Sequence, residues 1–474
     1  MTLDATESMA ICQSNLCDVY RSSRNGKSER LNIDAGGVAS CAMRGSAINS
    51  FKVPFRSGLP MVLLAFALLA GGAVRAETMT NYGQEQTQWV DPWEASSETQ
   101  ALEIAPPLPQ SLTPVLSEAT LLPLTQAIRK YREIERWGGW GYVAAGERLE
   151  LGVRDARVAQ VRERLVSTGD MSASPGDPYL YDNAVQEAVS RFQRRNGLEP
   201  DGIVGRRTVA AMNVSGATRI RQLDINLRRL ASIVPKLQQR YIFVNIAGQD
   251  VEAVNNGVVE FRERVIVGKQ SRQTPEIVSQ VKSVTINPYW YVPKSIALRD
   301  MLPKIRNNPG YLKRQGIRVL QGWGDNIREL NPATIDWSRP RVNEAYYLRQ
   351  DPGPGNSLGT LKINFPNSDS IFLHDTPTKT LFGRQERNFS SGCVRVQNVR
   401  GLVTWLIQGD GAAWSADRVD ASLRAGQYRN VQLTMPVPIY LIYLTAWTAD
   451  DGTVNFRDDV YGRDGSVNTS ALEN

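Results

Sequence analysis

The sequence contains one histidine, His374, and the last of its four cysteines, Cys393, follows within reach of a short hairpin or loop. Their surroundings read His374-Asp375-Thr376-Pro377 and Ser390-Ser391-Gly392-Cys393-Val394-Arg395. A cysteine attacks a carbonyl as thiolate, and an ordinary thiol pKa of about 8.5 leaves little thiolate at neutral pH. A neighbouring imidazole can take the thiol proton and later return it to a leaving amine, as general base and then general acid. Gly392 permits close backbone approach, so the N–H groups of Gly392 and Cys393 could face a developing oxyanion. Arg395 offers a planar fork to a substrate carboxylate. Each residue alone has a plainer explanation, as a small buried apolar group or a structural imidazole. Together they point to covalent acyl transfer.

The bulk properties set the frame. Of the 474 residues, 42% are hydrophobic and 22% charged, with a mean hydropathy of −0.32, which excludes a polytopic membrane protein. Lys+Arg 55 against Asp+Glu 48 gives +7, suited to an acidic polymer such as cell wall, nucleic acid or anionic lipid. No dense Lys/Arg run is present, so no nucleic-acid partner is expected.

The apolar run Leu59 to Ala70 follows Lys52 and Arg56 and precedes Gly71-Gly72-Ala73-Val74-Arg75-Ala76, the three zones of a secretory signal. It falls short of the roughly 20 apolar residues that span a bilayer, which favours cleavage after Ala76 over an uncleaved anchor. Met43 would open the charged zone, so 1–42 reads as a non-native or unstructured extension and 43–76 as the signal. Cys12, Cys17 and Cys41 precede Met43, and the exported product would carry Cys393 alone, without an intramolecular disulfide. A free thiol in an oxidising compartment such as the periplasm calls for a task. One His and one Cys do not supply a zinc peptidase's ligand set, and neither metal nor cofactor is expected.

An α+β multidomain chain is expected to position these residues. Residues 77–118, rich in Gln, Thr, Ser, Glu and Pro, read as a flexible linker. Leu124, Ile128, Tyr131 and Ile134 recur at helical spacing, as do Leu223, Leu227 and Leu230, so 119–154 and 215–240 form a helical scaffold around an inserted unit at 155–214. That unit reads as three short helices: Val158, Val161 and Leu165; Val185, Val189 and Phe192 after an Asp182 cap; Val209 with Met212. From Tyr241 the period becomes that of strands, predicting a mostly antiparallel sheet or barrel over 241–434. Residues 294–350 interrupt it as an irregular, partly helical insert. His374 falls at a strand end, Val399 to Ile407 reads as a helix, and 435–474 as a closing hairpin and tail.

Two stretches resemble known families. Phe192-Gln193, Gly197-Leu198, Asp201-Gly202-Ile203-Val204-Gly205 and Thr208 resemble the small helical peptidoglycan-binding module. His374 followed by Ser390-Ser391-Gly392-Cys393 resembles the catalytic motif of the L,D-transpeptidases, whose catalytic domain is of the YkuD type. Supporting text includes Gly268-Lys269, Thr274-Pro275, Asn287-Pro288, Trp290, Val292-Pro293 and Gly355-Asn356-Ser357-Leu358-Gly359. Ser391 stands where many members have His, and Arg395 replaces a frequent Asn. Ser-Gly-Cys-Val-Arg is the form of the larger Gram-negative enzymes.

The resemblance implies a β-rich catalytic domain with a capping subdomain at 294–350. His374 would be oriented by the backbone carbonyl of Asp375, whose carboxylate is a turn residue rather than a triad member. Cys393 would attack the third stem residue of a peptidoglycan tetrapeptide, expel terminal D-alanine, and pass the acyl group from its thioester to a second stem as a 3-3 cross-link. Gly392 would serve the oxyanion, while Arg395, Ser391, Arg387, Trp290 and Tyr291 would bind substrate. Implied partners are donor and acceptor stem tetrapeptides, carbapenem inhibitors, and the wall synthases and carboxypeptidases that supply tetrapeptides. The alternatives are a cell-wall cysteine peptidase or L,D-carboxypeptidase and a non-catalytic peptidoglycan-binding scaffold. In familiar wall hydrolases Cys precedes His, the reverse of the order here.

Overall fold

The computed structural model describes residues 108, 111–173, 176–308, 310–322, 326–339, 345–409 and 414–465, and the backbone of 11–13, 16–18, 20–21 and 29–30. The chain divides into two compact units, 1–82 and 83–474. In the first, short antiparallel ladders join Ile11–Gln13 to Leu16–Asp18 and Tyr20–Arg21 to Glu29–Arg30. The signal expected at 43–76 lies outside the described residues.

In the second unit, helices α1 (Leu121–Arg136), α2 (Arg157–Thr168), α3 (Asn183–Arg195), α4 (Arg206–Met212) and α5 (Gly216–Ile233) precede the strands. The Asp182 side chain caps α3, accepting the Val185 N–H at 3.0 Å. Val158, Val161, Leu165, Val185, Val189, Phe192 and Met212 share one core. A buried Arg195–Asp170 pair braces it, with Nε 2.6 Å from Oδ1. Helices α1 and α5 meet through Leu124, Ile128, Tyr131, Leu223 and Leu230, and at their rim Arg132 Nη2 lies 2.9 Å from Asp224 Oδ2.

The main sheet takes its strands in the order β11-β3-β12-β10-β9-β4-β13-β1-β2. They are β1 (Arg240–Asn245), β2 (Asp250–Asn255), β3 (Val258–Gly268), β4 (Ile277–Ile286), β9 (Leu361–Asn364), β10 (Leu373–His374), β11 (Asn388–Ser390), β12 (Val394–Val396) and β13 (Arg429–Ile442). Because β2 also pairs with β3, the sheet closes on itself. It is mixed rather than purely antiparallel: β10 with β12, β13 with β1 and β11 with β3 run parallel.

Closure buries one face of β1, and helices α1 and α5 cover the other. Ile242 and Val244 point to the inner core, while Tyr241 and Phe243 point to the cluster under α1 and α5. Strand β13 alternates in the same way, with Ile439 and Leu441 inside and Tyr440 and Ile442 outside. The helix α6 (Val399–Gln408), started by the Asn398 side chain accepting the Gly401 N–H at 3.0 Å, adds Leu402, Val403 and Leu406 to the inner core.

Three expectations change. Residues 111–117 are docked chain rather than flexible linker: Val115 and Leu116 are buried, and Val115 N–H donates to Glu252 Oε2 at 3.0 Å. Glu252 is wholly buried and takes Arg262 Nη2 at 2.6 Å, so this anchor is an ion pair inside the fold. Next, β13 continues as one strand through 434 and 435, although its register with β4 shifts between Gln432 and Val437. The insert, finally, has a sheet of its own, ordered β7-β6-β8-β5 from β5 (Trp290–Tyr291), β6 (Ile317–Gln321), β7 (Arg328–Leu330) and β8 (Tyr347–Gln350).

Removing one member of a buried ion pair strands the other, at a cost of about 3–5 kcal/mol. Glu252→Ala should therefore lower the unfolding free energy by about that amount in denaturant titration.

Candidate active site

Strands β10 and β12 lie side by side in parallel, with Leu373 opposite Val394 and His374 opposite Arg395. Two residues suffice to bring the end of the His374 strand beside the loop that carries Cys393. Val394 N–H donates to Phe372 O at 3.1 Å, and Cys393 Sγ lies 3.9 Å from Ser370 O.

The loop is held by hydroxyls. Ser390 Oγ donates to Cys393 O at 2.5 Å and accepts Gly392 N–H at 3.1 Å. Thr274 Oγ1 donates to Gly392 O at 2.8 Å and accepts Gly268 N–H at 2.9 Å, tying the loop to the end of β3. Gly392 has φ +118°, a backbone conformation that requires glycine, and a Cβ there would also press on Ile371 Cδ1 at 3.2 Å. Since Gly392 N–H is engaged by Ser390, it is not the free oxyanion donor that its motif position suggests. The Cys393 N–H has no acceptor among the described residues.

His374 is buried, with Nδ1 2.5 Å from the Asp375 carbonyl oxygen. That carbonyl can only accept, so Nδ1 carries the hydrogen and Nε2 is left with its lone pair. The Asp375 carboxylate is turned to other work: it pairs with Lys379 and accepts Thr360 N–H at 3.1 Å and Thr360 Oγ1 at 3.0 Å. Burial pushes this carboxyl up, but Lys379 and the Thr360 and Thr376 N–H groups outweigh it and hold the pKa below the ordinary value.

Burial, then the positive charges of Arg395 and Lys362, lower the His374 pKa to about 3 against the pull of Asp375. The imidazole is thus neutral across the physiological range. Cys393 is partly buried, and desolvation pushes its thiol up to about 11, opposed by the Phe372 N–H, Lys362 and Arg395.

The remaining sequence candidates divide. Ser391 Oγ accepts Arg272 Nη1 at 2.9 Å, and the same guanidinium pairs with Asp300 of the insert at 2.5 and 2.7 Å, joining insert to loop. Arg395 sits buried beside the site, with no hydrogen-bond partner for Nε and Nη1 among the described residues. Arg387 is not a groove residue: its guanidinium donates to the carbonyls of Val265, Gln249, Arg384 and Gln385, bracing the turn before β11. Trp290 is only 6% exposed within the insert's core, while Tyr291 is 53% exposed and packs beside Tyr347. Sequence reasoning missed Lys362, Arg272, Asp300 and the role of Thr274, whose meeting depends on strand register rather than on any local motif.

Residues 239–421 match the family model "L,D-transpeptidase catalytic domain" (YkuD), and 154–212 match "Putative peptidoglycan binding domain". A Haemophilus influenzae protein described as "Putative L,D-transpeptidase" is 34% identical over 251 residues, covering 53% of this chain and 50% of that protein. The chain thus spans about half the length of this curated relative. Crystal structures of L,D-transpeptidases from Xylanimonas cellulosilytica and Stackebrandtia nassauensis are also similar. The first is 15% identical, covering 63% of this chain and 99% of that one, with TM-score 0.20. The second is 12% identical, covering 64% and 96%, with TM-score 0.23.

Thr274→Val removes the hydroxyl that spans Gly268 and Gly392 and leaves a buried N–H unpaired, a loss of about 1–3 kcal/mol. Thermal unfolding should register that loss, and Cys393 should react more slowly with an acylating inhibitor because its loop is no longer held.

Proposed function

From a chain whose residues 239–421 are an L,D-transpeptidase catalytic domain joined to a peptidoglycan-binding domain at 154–212, we propose a peptidoglycan transpeptidase that forms 3-3 cross-links through a thioester on Cys393. The observation that carries this reading is the paired arrangement of β10 and β12. It sets an accessible thiol beside the site of a neutral histidine whose orientation is fixed by main chain.

In this mechanism Sγ attacks the carbonyl of the third stem residue as its proton passes to His374 Nε2. The developing oxyanion is met by Cys393 N–H, in a partly buried site where one such donor is worth more than in water. An imidazole with so low a proton affinity does not hold its proton. It delivers it to the amine of the departing D-alanine in the same stage, leaving a thioester and neutral His374. The side-chain amine of a diaminopimelate on a second stem then attacks. His374 takes that proton, and the thiolate leaves to be reprotonated. With water in place of the amine, the product is a tripeptide.

Arg395 supports the reading as a cation beside the thiol, placed to attract a stem carboxylate, and exposed Tyr291 on the insert is the aromatic candidate for contact with donor or acceptor. The module at 154–212 would hold the polymer while the site acts. Export to the periplasm, with enzymes that supply tetrapeptide stems as partners, completes the proposal, and carbapenems would acylate the same thiol.

Incubation with disaccharide tetrapeptide and mass spectrometry of products tests the reading directly. Dimers lacking one D-alanine should form with the native protein and vanish with Cys393→Ala. Tripeptide alone would instead mean a carboxypeptidase, and no product at all would favour a binding scaffold. The pH dependence follows from the two shifts. With the thiol protonated below its pKa of about 11 and His374 neutral above about 3, the reacting pair is unchanged between them, so carbapenem acylation should be nearly flat from pH 6 to 9. A neutral His374 predicts no inflection near the ordinary imidazole pKa, whereas a bell with an acid limb at about 6.5 would contradict the assignment.

A further inference from the structure

We propose that Lys362 is the counter-cation of the Cys393 thiolate, a positioning residue that sets the charge state of the thiol from the neighbouring strand. The proposal rests on Cys393 being the nucleophile.

The geometry lies in the register. On β9, Lys362 is directly opposite His374, and His374 is opposite Arg395 on β12, so the three share one rung and one face of the sheet. On the far side of Lys362 the rung continues with Thr285 and Asn430, both uncharged. The lysine stem lies along Phe372, with Nζ 4.1 Å from the ring centroid, and the same ring stands edge-on to His374 at 5.5 Å. Phe372 is also the residue whose main chain faces the Cys393 loop, its carbonyl taking Val394 N–H and its N–H directed to the thiol.

The charges leave Lys362 one partner. Asp375, the nearest carboxylate in sequence to His374, is consumed by Lys379 and Thr360, and Asp300 by Arg272. Arg395 is a second cation, two of whose nitrogens have no hydrogen-bond partner among the described residues. Lys362 Nζ makes no hydrogen bond among the described residues, and the acidic group that acts on it is Cys393. Burial draws its pKa below the ordinary lysine value, and the thiol opposes that shift. His374 is neutral and flanked by both cations, so it is not the resting partner of the thiolate. A partly buried ammonium without an acceptor is costly, and an anion forming beside it offsets that cost. On ionisation Sγ gives its proton to solvent and keeps the electron pair, while Lys362 remains an ammonium.

Iodoacetamide alkylation reads thiolate without any need for peptidoglycan, so it separates this proposal from the transpeptidase reading. The full chain is alkylated between pH 6 and 9, and the rate is taken from the tryptic peptide containing Cys393. Lys362→Met should slow alkylation about tenfold at each pH, as a pKa displaced upward by about one unit requires, while Lys362→Arg should stay within about threefold of native. If Lys362→Met is found unfolded by circular dichroism, Lys362→Gln replaces it with the same expectation. A folded neutral variant whose rates coincide with native at every pH overturns the proposal. Unchanged alkylation with a raised KM for tetrapeptide overturns it too, and would assign the ammonium to a substrate carboxylate.

Discussion

The parallel pairing of β10 with β12 is the constraint on which the site depends. Antiparallel neighbours can be joined by a two-residue turn, but parallel ones need a crossover of about a dozen residues or more. Here that crossover is the stretch from Asp375 to Cys393, which contains the Lys379 and Arg387 braces and β11. The spacing between His374 and Cys393 is therefore topological. A hairpin would set the two strands in opposite directions and lose the rung that runs from Arg395 through His374 to Lys362.

Elements outside the His374 and Cys393 segments also hold this pairing in place. The turn before β11 is tied to the 154–212 module, with Gln385 Nε2 2.5 Å from Gly197 O and Glu386 Oε1 2.5 Å from Arg207 Nη2. Arg457 Nη1 reaches Arg195 O in the same module at 3.3 Å. On the other side, Tyr461 OH donates to Gly268 O and Arg463 Nη2 to Thr274 O at 3.1 Å, so the C-terminal tail buttresses the threonine that holds Gly392. The Arg272–Asp300 pair does the same from the insert. The site thus receives support from module, insert and tail at once, although its reacting groups sit on two short strands.

Much of this was legible because some signals are local. A lone histidine and a Gly-Cys pair stand out by rarity, Asp182 announces a helix start, and the switch from helical to strand period at Tyr241 marks where the sheet begins. The α+β class and the β-rich catalytic domain follow from such cues. What escaped depends on distant partners. Val115 and Leu116 are too few to show a period, yet they dock because Glu252 waits for the Val115 N–H. The parallel pairing of β13 with β1 joins residues about two hundred apart, which no local pattern encodes. Arg387 looks like a surface cation until its carbonyl partners are seen, and Lys362 looks like the solvent-facing alternate of a strand until register places it against His374.

In the proposed reaction an acyl group rests on Cys393 between donor and acceptor. Acid quenching of the full chain within the first turnovers on tetrapeptide, followed by mass spectrometry of the Cys393 peptide, tests it most directly. A disaccharide-tripeptide adduct, labile to hydroxylamine and confined to that peptide, is the result predicted. Product formed at full rate with no adduct on Cys393, or with the adduct on another residue, would contradict it.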